Sequence, residues 1–361
     1  MEEWGSEGTG YFLAQQLSGV FEVEEWQVQG SAARFRGTLL AGPETTIAIL
    51  RKRLEPHGFS PILPSEREIL ILPTPAMATR AGAERPWTQI LLFAATVLTT
   101  LVAGALPQGV NPFTDPTSLL AGLPFSFSLL SILGVHEMGH YFTARRYGVH
   151  VTLPYFIPAP PPMILGTFGA FIKMKSPIID RRSLFDIGIA GPLAGLLLAI
   201  PISIIGLTMS EIVPTRGEVG LSLGSPLLFT FVQQVTLGPI PEGMDVLLHP
   251  VAFAGWIGFF VTALNLLPIG QLDGGHIAYA LLGRQSEKLA FLTAIVLAFL
   301  GYYFWPGWYL WAFLAFMLGF KHPPPMNDVT PLDPGRRLLA FGAFILLLAL
   351  LTPAPFMSGE V

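Results

Sequence analysis

The sequence predicts an all-α polytopic membrane protein with about seven spans and a re-entrant β-like element, preceded by a small α+β soluble domain. Composition supports this first, because 52% of the 361 residues are apolar and only 12% are charged, whereas soluble domains carry about 25% charged residues. An acidic N-terminal block is then followed by long apolar segments that begin at Trp87. We expect residues 1–80 to form a small cytoplasmic domain, residues 81–86 a linker and residues 87–356 a membrane-embedded domain.

Charge and residue types exclude several classes of site. A formal net charge of −4 gives no reason to expect a nucleic-acid partner. The chain has no cysteine, which excludes disulfides, thiolate zinc sites, iron–sulfur clusters and thiol nucleophiles. Any metal site must therefore use His, Asp and Glu side chains.

Residue patterns in the N-terminal block predict both strands and a helix. Residues 33–40 alternate between polar and apolar side chains, as a half-buried strand does. Residues 44–56 carry apolar side chains at helical spacing, directly after a proline, and residues 67–72 (REILIL) read as a second strand. The sequence leaves three roles open for this domain: binding a cytoplasmic ligand, recognising substrate, or self-association.

Long apolar segments follow residue 86, and basic residues indicate their orientation. The segments are residues 87–106, 118–147, 184–209, 251–268, 289–304, 308–320 and 338–352. With the N-terminus inside, alternation across these spans leaves only Arg216 on the outer side, which predicts a cytoplasmic N-terminus and an external C-terminus. In the third segment, Gly191 and Gly195 predict close helix packing rather than catalysis.

Two segments fit neither a span nor a simple loop. Residues 149–179 carry five prolines between Pro154 and Pro162, followed by a strand-like stretch at residues 166–172. Backbone of this kind at membrane depth must be buried in protein or paired with another chain. Residues 226–238 are apolar but too short to span, so we expect a helix lying at the outer interface.

The motif with the clearest chemistry lies in the second apolar segment, where the sequence reads His136-Glu137-Met138-Gly139-His140. This is the H-E-x-x-H pattern. Residues i and i+4 share one face of a helix, so both imidazoles can bind one metal ion, and we expect one Zn²⁺ per chain. Glu137 directly follows the first ligand and can accept the proton of a zinc-bound water. Ionisable residues inside a span are costly and indicate function.

A third ligand is expected near the end of the fourth apolar segment. Pro268 should interrupt that helix, and Asp273 follows the interruption at the depth of the two histidines. Asp186 and His276 are alternative ligands, although for His276 a supporting role beside the site is the simpler expectation. The side-chain NH₂ of Asn265 can donate either to a developing oxyanion or to a neighbouring helix.

These motifs resemble those of the site-2 protease family of intramembrane zinc metalloproteases. The resemblance rests on H-E-x-G-H at residues 136–140 and N-x-x-P-x-x-x-x-D-G at residues 265–274, and it identifies residues 87–356 as the zinc metalloprotease domain. Residues 188–195 (GIAGPLAG) also look like the family. The roles implied by the resemblance are zinc ligation by His136, His140 and Asp273, general-base catalysis by Glu137, and support of the substrate or oxyanion by Asn265.

The resemblance also implies a substrate-binding element and a subgroup. A membrane re-entrant β element of the family is expected to bind the substrate backbone through Gly166, Thr167, Phe168, Gly169, Ala170, Phe171 and Ile172. Residues 247–275 and 321–333 resemble the "ethylene-dependent gravitropism-deficient and yellow-green" type, which carries a soluble N-terminal extension. The loop between the third and fourth segments is too short for a PDZ domain, so we expect none.

Residues and resemblance together predict an intramembrane zinc-dependent endopeptidase that hydrolyses peptide bonds in or near transmembrane segments. Its expected partners are a transmembrane protein substrate and the lipid bilayer. Because no transit segment rich in Ser and Arg is visible, we expect the bacterial cytoplasmic membrane rather than a plastid. The alternatives are a metal or proton transporter, which does not explain the position of Glu137, and an inactive membrane scaffold of the same family, which does not explain the intact ligand set.

Overall fold

The computed structural model describes residues 6–74, 86–161, 163–215 and 221–358. The linker expected at residues 81–86 therefore lies outside the described residues, apart from Pro86. The helices are α1 (Ser6–Gln16), α2 (Pro43–Leu54), α3 (Trp87–Ala105), α4 (Leu123–Arg146), α5 (Arg181–Thr208), α6 (Leu227–Leu237), α7 (Pro250–Asn265), α8 (Asp273–Leu282), α9 (Ser286–Tyr303), α10 (Gly307–Leu318) and α11 (Pro334–Leu350). The strands are β1 (Phe21–Gln29), β2 (Ala32–Leu39), β3 (Phe59–Ser65), β4 (Glu68–Pro73), β5 (Tyr155–Pro158), β6 (Thr167–Phe171), β7 (Glu211–Pro214), β8 (Leu221–Leu223), β9 (Met244–Leu247) and β10 (Phe356–Ser358).

The first four strands form an antiparallel sheet in the order β1-β2-β4-β3. The strand predicted at 33–40 is β2, the helix predicted at 44–56 is α2, and the strand predicted at 67–72 is β4. Strand β1 was not predicted because an irregularity between Val23 and Glu25 interrupts its alternation. Strand β3 contains two prolines, which argue against a central strand but are tolerated at this sheet edge.

Helices α1 and α2 supply apolar side chains to the core of this sheet. Leu13 of α1, Phe35 of β2 and Leu50 of α2 are fully buried in one cluster. The alternation predicted for β2 is observed, since Arg34 and Arg36 are exposed on either side of Phe35. The hydrophobic effect thus fixes which face of the sheet meets the helices.

A distant part of the chain completes the same core. Met326 is 2% exposed and packs in the cluster with the N-terminal residues. The Leu63 N–H of β3 donates to the Met326 carbonyl at 2.7 Å, and the Asp328 N–H donates to the Leu63 carbonyl at 3.1 Å. On their other side, the Met326 and Asn327 N–H groups donate to backbone carbonyls just before α5. Residues 326–328 therefore behave as a short strand between the N-terminal sheet and α5.

Each of the apolar segments predicted as spans overlaps a helix of the structure. Within the described residues, the stretches long and apolar enough to cross a membrane are Trp87–Gln108, Pro116–Arg146, Arg181–Thr208 and Asp273–Tyr303. Helices α7 and α10 are apolar but shorter. A seven-span count with its orientation therefore stays a prediction, because length and composition single out four of these stretches.

Helix α5 occupies the centre of the helical bundle and contacts α4, α7 and α8. Asp180 caps its first turn by accepting from the Ser183 N–H at 2.7 Å, which satisfies a backbone donor that the helix leaves free. Small residues allow the neighbouring helices to approach closely. A Cβ added at Gly139 of α4 would lie 2.6 Å from the Ala190 carbonyl oxygen of α5, so these two backbones are in direct contact.

The strand-like stretch expected at residues 166–172 forms the second strand of a hairpin. Strand β6 pairs antiparallel with β5, and the hairpin packs against α3. Gly166 adopts a left-handed conformation (φ +65°) against the α3 backbone, and its carbonyl accepts a hydrogen bond from Thr99 Oγ1 at 2.6 Å. Because Thr99 lies well inside a potential span, this bond satisfies backbone that water would not reach.

We expect the substitution Phe35→Ala to lower the free energy of unfolding of the N-terminal sheet by about 3–5 kcal/mol, because it removes a fully buried ring. Hydrogen exchange of the β2 amides in detergent-purified protein measures this loss. The matched control is Thr38→Ala on the exposed side of the same strand, with an expected effect of about 0.5 kcal/mol or less. Equal protection in both variants would contradict the assignment of Phe35 to the core.

Candidate metal centre

Helix α4 presents both histidines of the H-E-x-x-H motif to the interior of the bundle. His136 and His140 lie one helical turn apart and are 4% and 6% exposed. Their Nε2 atoms are 3.2 Å apart. Helical periodicity thus produces the pairing that the spacing predicted, and both metal-binding nitrogens point to one place.

The carboxylate of Asp273 joins them from α8. Helix α7 ends at Asn265, residues 266–272 form a non-helical turn around Pro268, and α8 begins at Asp273 itself. The two carboxylate oxygens of Asp273 lie 3.2 Å from His136 Nε2 and 3.2 Å from His140 Nε2. Among the described residues, these three side chains are the group of His, Asp and Glu whose ligand atoms lie within 4.8 Å of one another.

This donor set fits a tetrahedral zinc ion. Two ligands bound to Zn²⁺ at about 2.0–2.1 Å lie about 3.3 Å apart, close to the three separations of 3.2 Å. His140 Nδ1 is 2.7 Å from the Ile187 carbonyl oxygen. A carbonyl only accepts, so Nδ1 carries the proton and Nε2 presents its lone pair to the site. A shared cation stabilises buried lone pairs that face one another.

Glu137 is buried beside this group without joining it. The residue is 5% exposed, and its carboxylate is not among the ligand atoms that lie within 4.8 Å of one another. Successive residues of a helix are about 100° apart around its axis, which separates Glu137 from His136. The carboxylate lies within electrostatic reach of both imidazoles and of the Ile172 backbone amide, directly after β6. A carboxylate so placed lies between the potential metal ligands and the hairpin.

The side chain of Asn265 also reaches the centre. Its Nδ2 lies 3.3 Å from His136 Nε2. Since Asn265 ends α7 and Asp273 begins α8, the turn between the two helices places both polar side chains at the same site. The structure thus brings His136, Glu137, His140, Asn265 and Asp273 together.

Glycines of α5 make room for the imidazoles. A Cβ added at Gly191 would lie 2.0 Å from His140 Nε2, and one at Gly195 would lie 3.1 Å from His136 Nδ1. A Cβ at Gly188 would lie 2.8 Å from the Cβ of His276 on α8. The sequence indicated close packing at Gly191 and Gly195, and the structure identifies the packed partners as the histidines themselves.

The alternative third ligands lie elsewhere. The carboxylate of Asp186 accepts from Arg336 Nη2 at 2.6 Å and Nε at 2.8 Å, and also from the Tyr147 hydroxyl. His276 Nδ1 lies 2.6 Å from His322 Nε2. Asp186 is thus occupied by an ion pair, and His276 stands one helical turn beyond Asp273 with a partner of its own.

Not every residue of the expected substrate-binding stretch is open to a substrate. Gly166 and Thr167 are buried, and the Thr167 hydroxyl donates to the Ile157 carbonyl of the same hairpin at 2.8 Å. Phe168 and Phe171 are 63% and 46% exposed, whereas Gly169, Ala170 and Ile172 are half-buried. The most exposed side chains of this stretch are therefore the two phenylalanines.

A second polar cluster was not identified from the sequence. Asp328 is 4% exposed and accepts from Tyr279 Oη at 2.9 Å and from Arg181 Nε at 2.9 Å, and the ring of His322 stacks on Tyr279. The available signal was the resemblance of residues 321–333 to one subgroup, but nothing in the spacing connects this stretch with α8.

We expect Gly191→Ala to abolish stoichiometric zinc binding, because the new methyl group would overlap His140 Nε2. Elemental analysis of detergent-purified protein measures the bound metal. Gly342→Ala on α11 is the matched control, since its Cβ would meet nothing within 4 Å, and it should bind as much zinc as wild type. Full zinc in Gly191→Ala would contradict this packing.

Proteins named as probable zinc metalloproteases are similar in sequence to this chain. The model of Peptidase family M50 matches residues 124–304, which is half of the chain and spans α4 to α9. A protein of Arabidopsis thaliana named "Probable zinc metalloprotease EGY1, chloroplastic" is 32% identical over 267 residues, covering 68% of this chain and 48% of the relative. The Arabidopsis protein of the same type named EGY2 is 26% identical over 346 residues, covering 89% of this chain and 60% of the relative.

A rice protein (Oryza sativa subsp. indica) named "Probable zinc metalloprotease EGY3, chloroplastic" is 32% identical over 300 residues, covering 76% of this chain and 49% of the relative. The chain thus spans about half the length of the curated relatives it matches. The similarity and the potential membrane-spanning helices together indicate an integral membrane protein of the expected subgroup. The chain belongs to Peptidase family M50.

Proposed function

We propose that this chain is a zinc-dependent endopeptidase that hydrolyses peptide bonds within or near transmembrane segments of other membrane proteins. One observation carries the proposal: two imidazole nitrogens and a carboxylate converge within 3.2 Å of one another beside a separate buried glutamate. All of them lie on helices that are long or apolar enough to belong in a membrane. The relatives named zinc metalloproteases support the same activity.

In this proposal His136, His140 and Asp273 hold the zinc ion. Bound zinc polarises a carbonyl oxygen and makes a water more acidic. The hydrogen bond from His140 Nδ1 to the Ile187 carbonyl keeps the ring in the tautomer that binds metal. This ligand is therefore oriented before any metal arrives, which favours binding.

Glu137 acts as the general base. One of its carboxylate oxygens takes a proton from the attacking water as the water oxygen bonds to the scissile carbonyl carbon. The carboxyl group then delivers this proton to the amide nitrogen as the C–N bond breaks, which releases a carboxylic acid and an amine. Asn265 Nδ2 donates a hydrogen bond to the oxyanion that develops on the scissile carbonyl. Glu137 is buried and Asn265 is half-buried, so little water competes for these interactions.

The edge of β6 binds the substrate backbone in an extended form. A transmembrane helix hides its carbonyl groups in internal hydrogen bonds, so it must unwind before hydrolysis, and a strand edge can satisfy the groups that are freed. Among the described residues β6 pairs only with β5, which leaves its second edge for an added strand. Since the Ile172 amide faces Glu137, a substrate lying along β6 reaches the general base.

The proposed setting follows from the distribution of charge. The N-terminal domain lies in the cytoplasm and the C-terminus outside, as the basic residues between the apolar segments indicate. The plant relatives are named chloroplastic, which gives no support to the expected bacterial cytoplasmic membrane. The proposed substrate is a membrane protein with a transmembrane segment. The position of Glu137 between the ligands and the hairpin favours hydrolysis over metal transport.

We expect Glu137→Gln to keep about one zinc per chain and to slow hydrolysis of a model transmembrane substrate about 10²- to 10⁴-fold, because only the proton acceptor is lost. The measurement combines elemental analysis with a cleavage assay in proteoliposomes. Glu211→Gln, an exposed site on β7, is the matched control and should cleave like wild type. Full turnover by Glu137→Gln would refute its role as the base.

We expect Asp273→Ala to lose both zinc and cleavage, because two imidazoles alone leave the site one ligand short. Elemental analysis and the same proteoliposome assay measure the two losses. Full zinc content in this variant would remove Asp273 from the ligand set. Zinc flux into wild-type proteoliposomes without any cleavage would support a transporter instead.

A further inference from the structure

The helix that carries Asp273 is short and lies between two turns that are not α-helical. Helix α8 has ten residues, which corresponds to a length of about 15 Å. It begins after the turn of residues 266–272 without a side-chain cap, and a 3₁₀ turn, Gly283–Gln285, separates it from α9. The position of the Asp273 carboxylate therefore depends on the lateral contacts of α8 as well as on its connections to α7 and α9.

Residues 321–328 supply polar contacts along one side of α8. Asp328 accepts a hydrogen bond from Tyr279 Oη at 2.9 Å, and the ring of His322 stacks on the Tyr279 ring with centroids 4.7 Å apart. His322 Nε2 lies 2.6 Å from Nδ1 of His276. Two positions of α8, at 276 and 279, are thus held by one segment.

The direction of the histidine contact is fixed. His322 Nδ1 lies 2.7 Å from the Pro323 carbonyl oxygen, which accepts only, so this nitrogen carries a proton. Burial lowers the pKa of His322 to about 4, so the ring is neutral at pH 7. Its Nε2 therefore accepts from Nδ1 of His276, and the pair holds α8 without adding a charge beside the metal centre.

The same segment is held on its other side by the N-terminal sheet. Leu63 exchanges two backbone hydrogen bonds with residues 326 and 328, at 2.7 and 3.1 Å, and the Met326 side chain is buried in the N-terminal core. Arg181, at the start of α5, donates to Asp328 at 2.9 Å. Asp328 thus contacts the N-terminal sheet through its backbone N–H, and α5 and α8 through its buried carboxylate.

We propose that the N-terminal sheet supports the metal centre through residues 326–328, with Asp328 as a positioning residue that holds α8 and thereby the carboxylate of Asp273. This inference rests on the proposed role of Asp273 as a zinc ligand. It gives the N-terminal domain a function within the chain itself, distinct from binding a ligand or a substrate. Side chains that orient a metal ligand typically contribute 10- to 100-fold to metal affinity.

The test measures the zinc affinity of the full-length chain in detergent by competition with a chelator. We expect Asp328→Asn and Tyr279→Phe each to weaken zinc binding about 10- to 100-fold. The double variant should be little weaker than the worse single variant, because both substitutions weaken the same contact. Asp328→Asn leaves one acceptor oxygen for the two donors, Arg181 and Tyr279. Asp245→Asn, at an exposed position on β9, is the control and should bind like wild type. Unchanged affinity in Asp328→Asn would overturn the proposal.

A second pair of variants tests the N-terminal sheet separately. Met326→Ala should also weaken zinc binding, whereas Met326→Leu, which conserves volume, should restore it. Hydrogen exchange of β3 and β4 reports whether the sheet stays folded. Faster hydrogen exchange of β3 and β4 in Met326→Ala, together with a zinc affinity like that of wild type, would show that the sheet does not support the centre. That result would overturn the inference.

These outcomes are distinguishable from failure of the proposed function. If wild type binds one zinc and Asp273→Ala binds none, the metal centre stands, and the zinc affinities of Asp328→Asn and Met326→Ala decide the inference. If wild type binds no zinc, or Asp273→Ala binds zinc fully, the assignment of Asp273 fails, and the inference fails with it.

Discussion

Glycines on α5 allow three helices to approach closely enough for two imidazoles and a carboxylate to meet. Gly191 and Gly195 leave space for the rings of His140 and His136, and Gly188 lies against the start of α8. A side chain at any of these positions would push a helix away from the centre. The distances of 3.2 Å between the ligand atoms therefore depend on glycines of α5, a helix that supplies no ligand. Close helix packing is thus a condition for the metal centre.

The interruption between α7 and α8 is the second requirement of the site. A continuous helix would place Asn265 and Asp273 more than two turns apart, at about 12 Å along its axis. The turn instead folds back, so that Gly274 packs on the Leu266 carbonyl and both polar side chains reach His136. Pro268 prevents the helix from continuing. This irregular backbone is tolerated because it lies inside the bundle, surrounded by protein. It brings together two polar side chains that a regular helix would hold apart.

The N-terminal sheet and the helical bundle are joined by backbone hydrogen bonds of one short segment. Residues 326–328 pair with β3 on one side and with the chain preceding α5 on the other. The buried carboxylate of Asp328 then reaches the helix that carries Asp273. Buried polar groups that are fully hydrogen-bonded favour one arrangement, since any other arrangement would leave a buried donor or acceptor without a partner. A domain that looks independent in sequence is consequently part of the surroundings of the metal centre.

The sequence by itself determined most helices of the bundle, the strand–helix–strand part of the N-terminal sheet, and the five polar residues proposed for the centre. It did not predict α8 (Asp273–Leu282), a helix too short to span the bilayer. Helical periodicity, apolar length and the spacing of His136, Glu137 and His140 are local properties, so one chain segment at a time reveals them. The pairing of residues 326–328 with β3, the partner of His276, and the contact of Gly191 with His140 join positions far apart in the chain. Only the tertiary structure decided these, because hydrogen bonds and close packing between distant segments leave no periodic pattern in the sequence of either one.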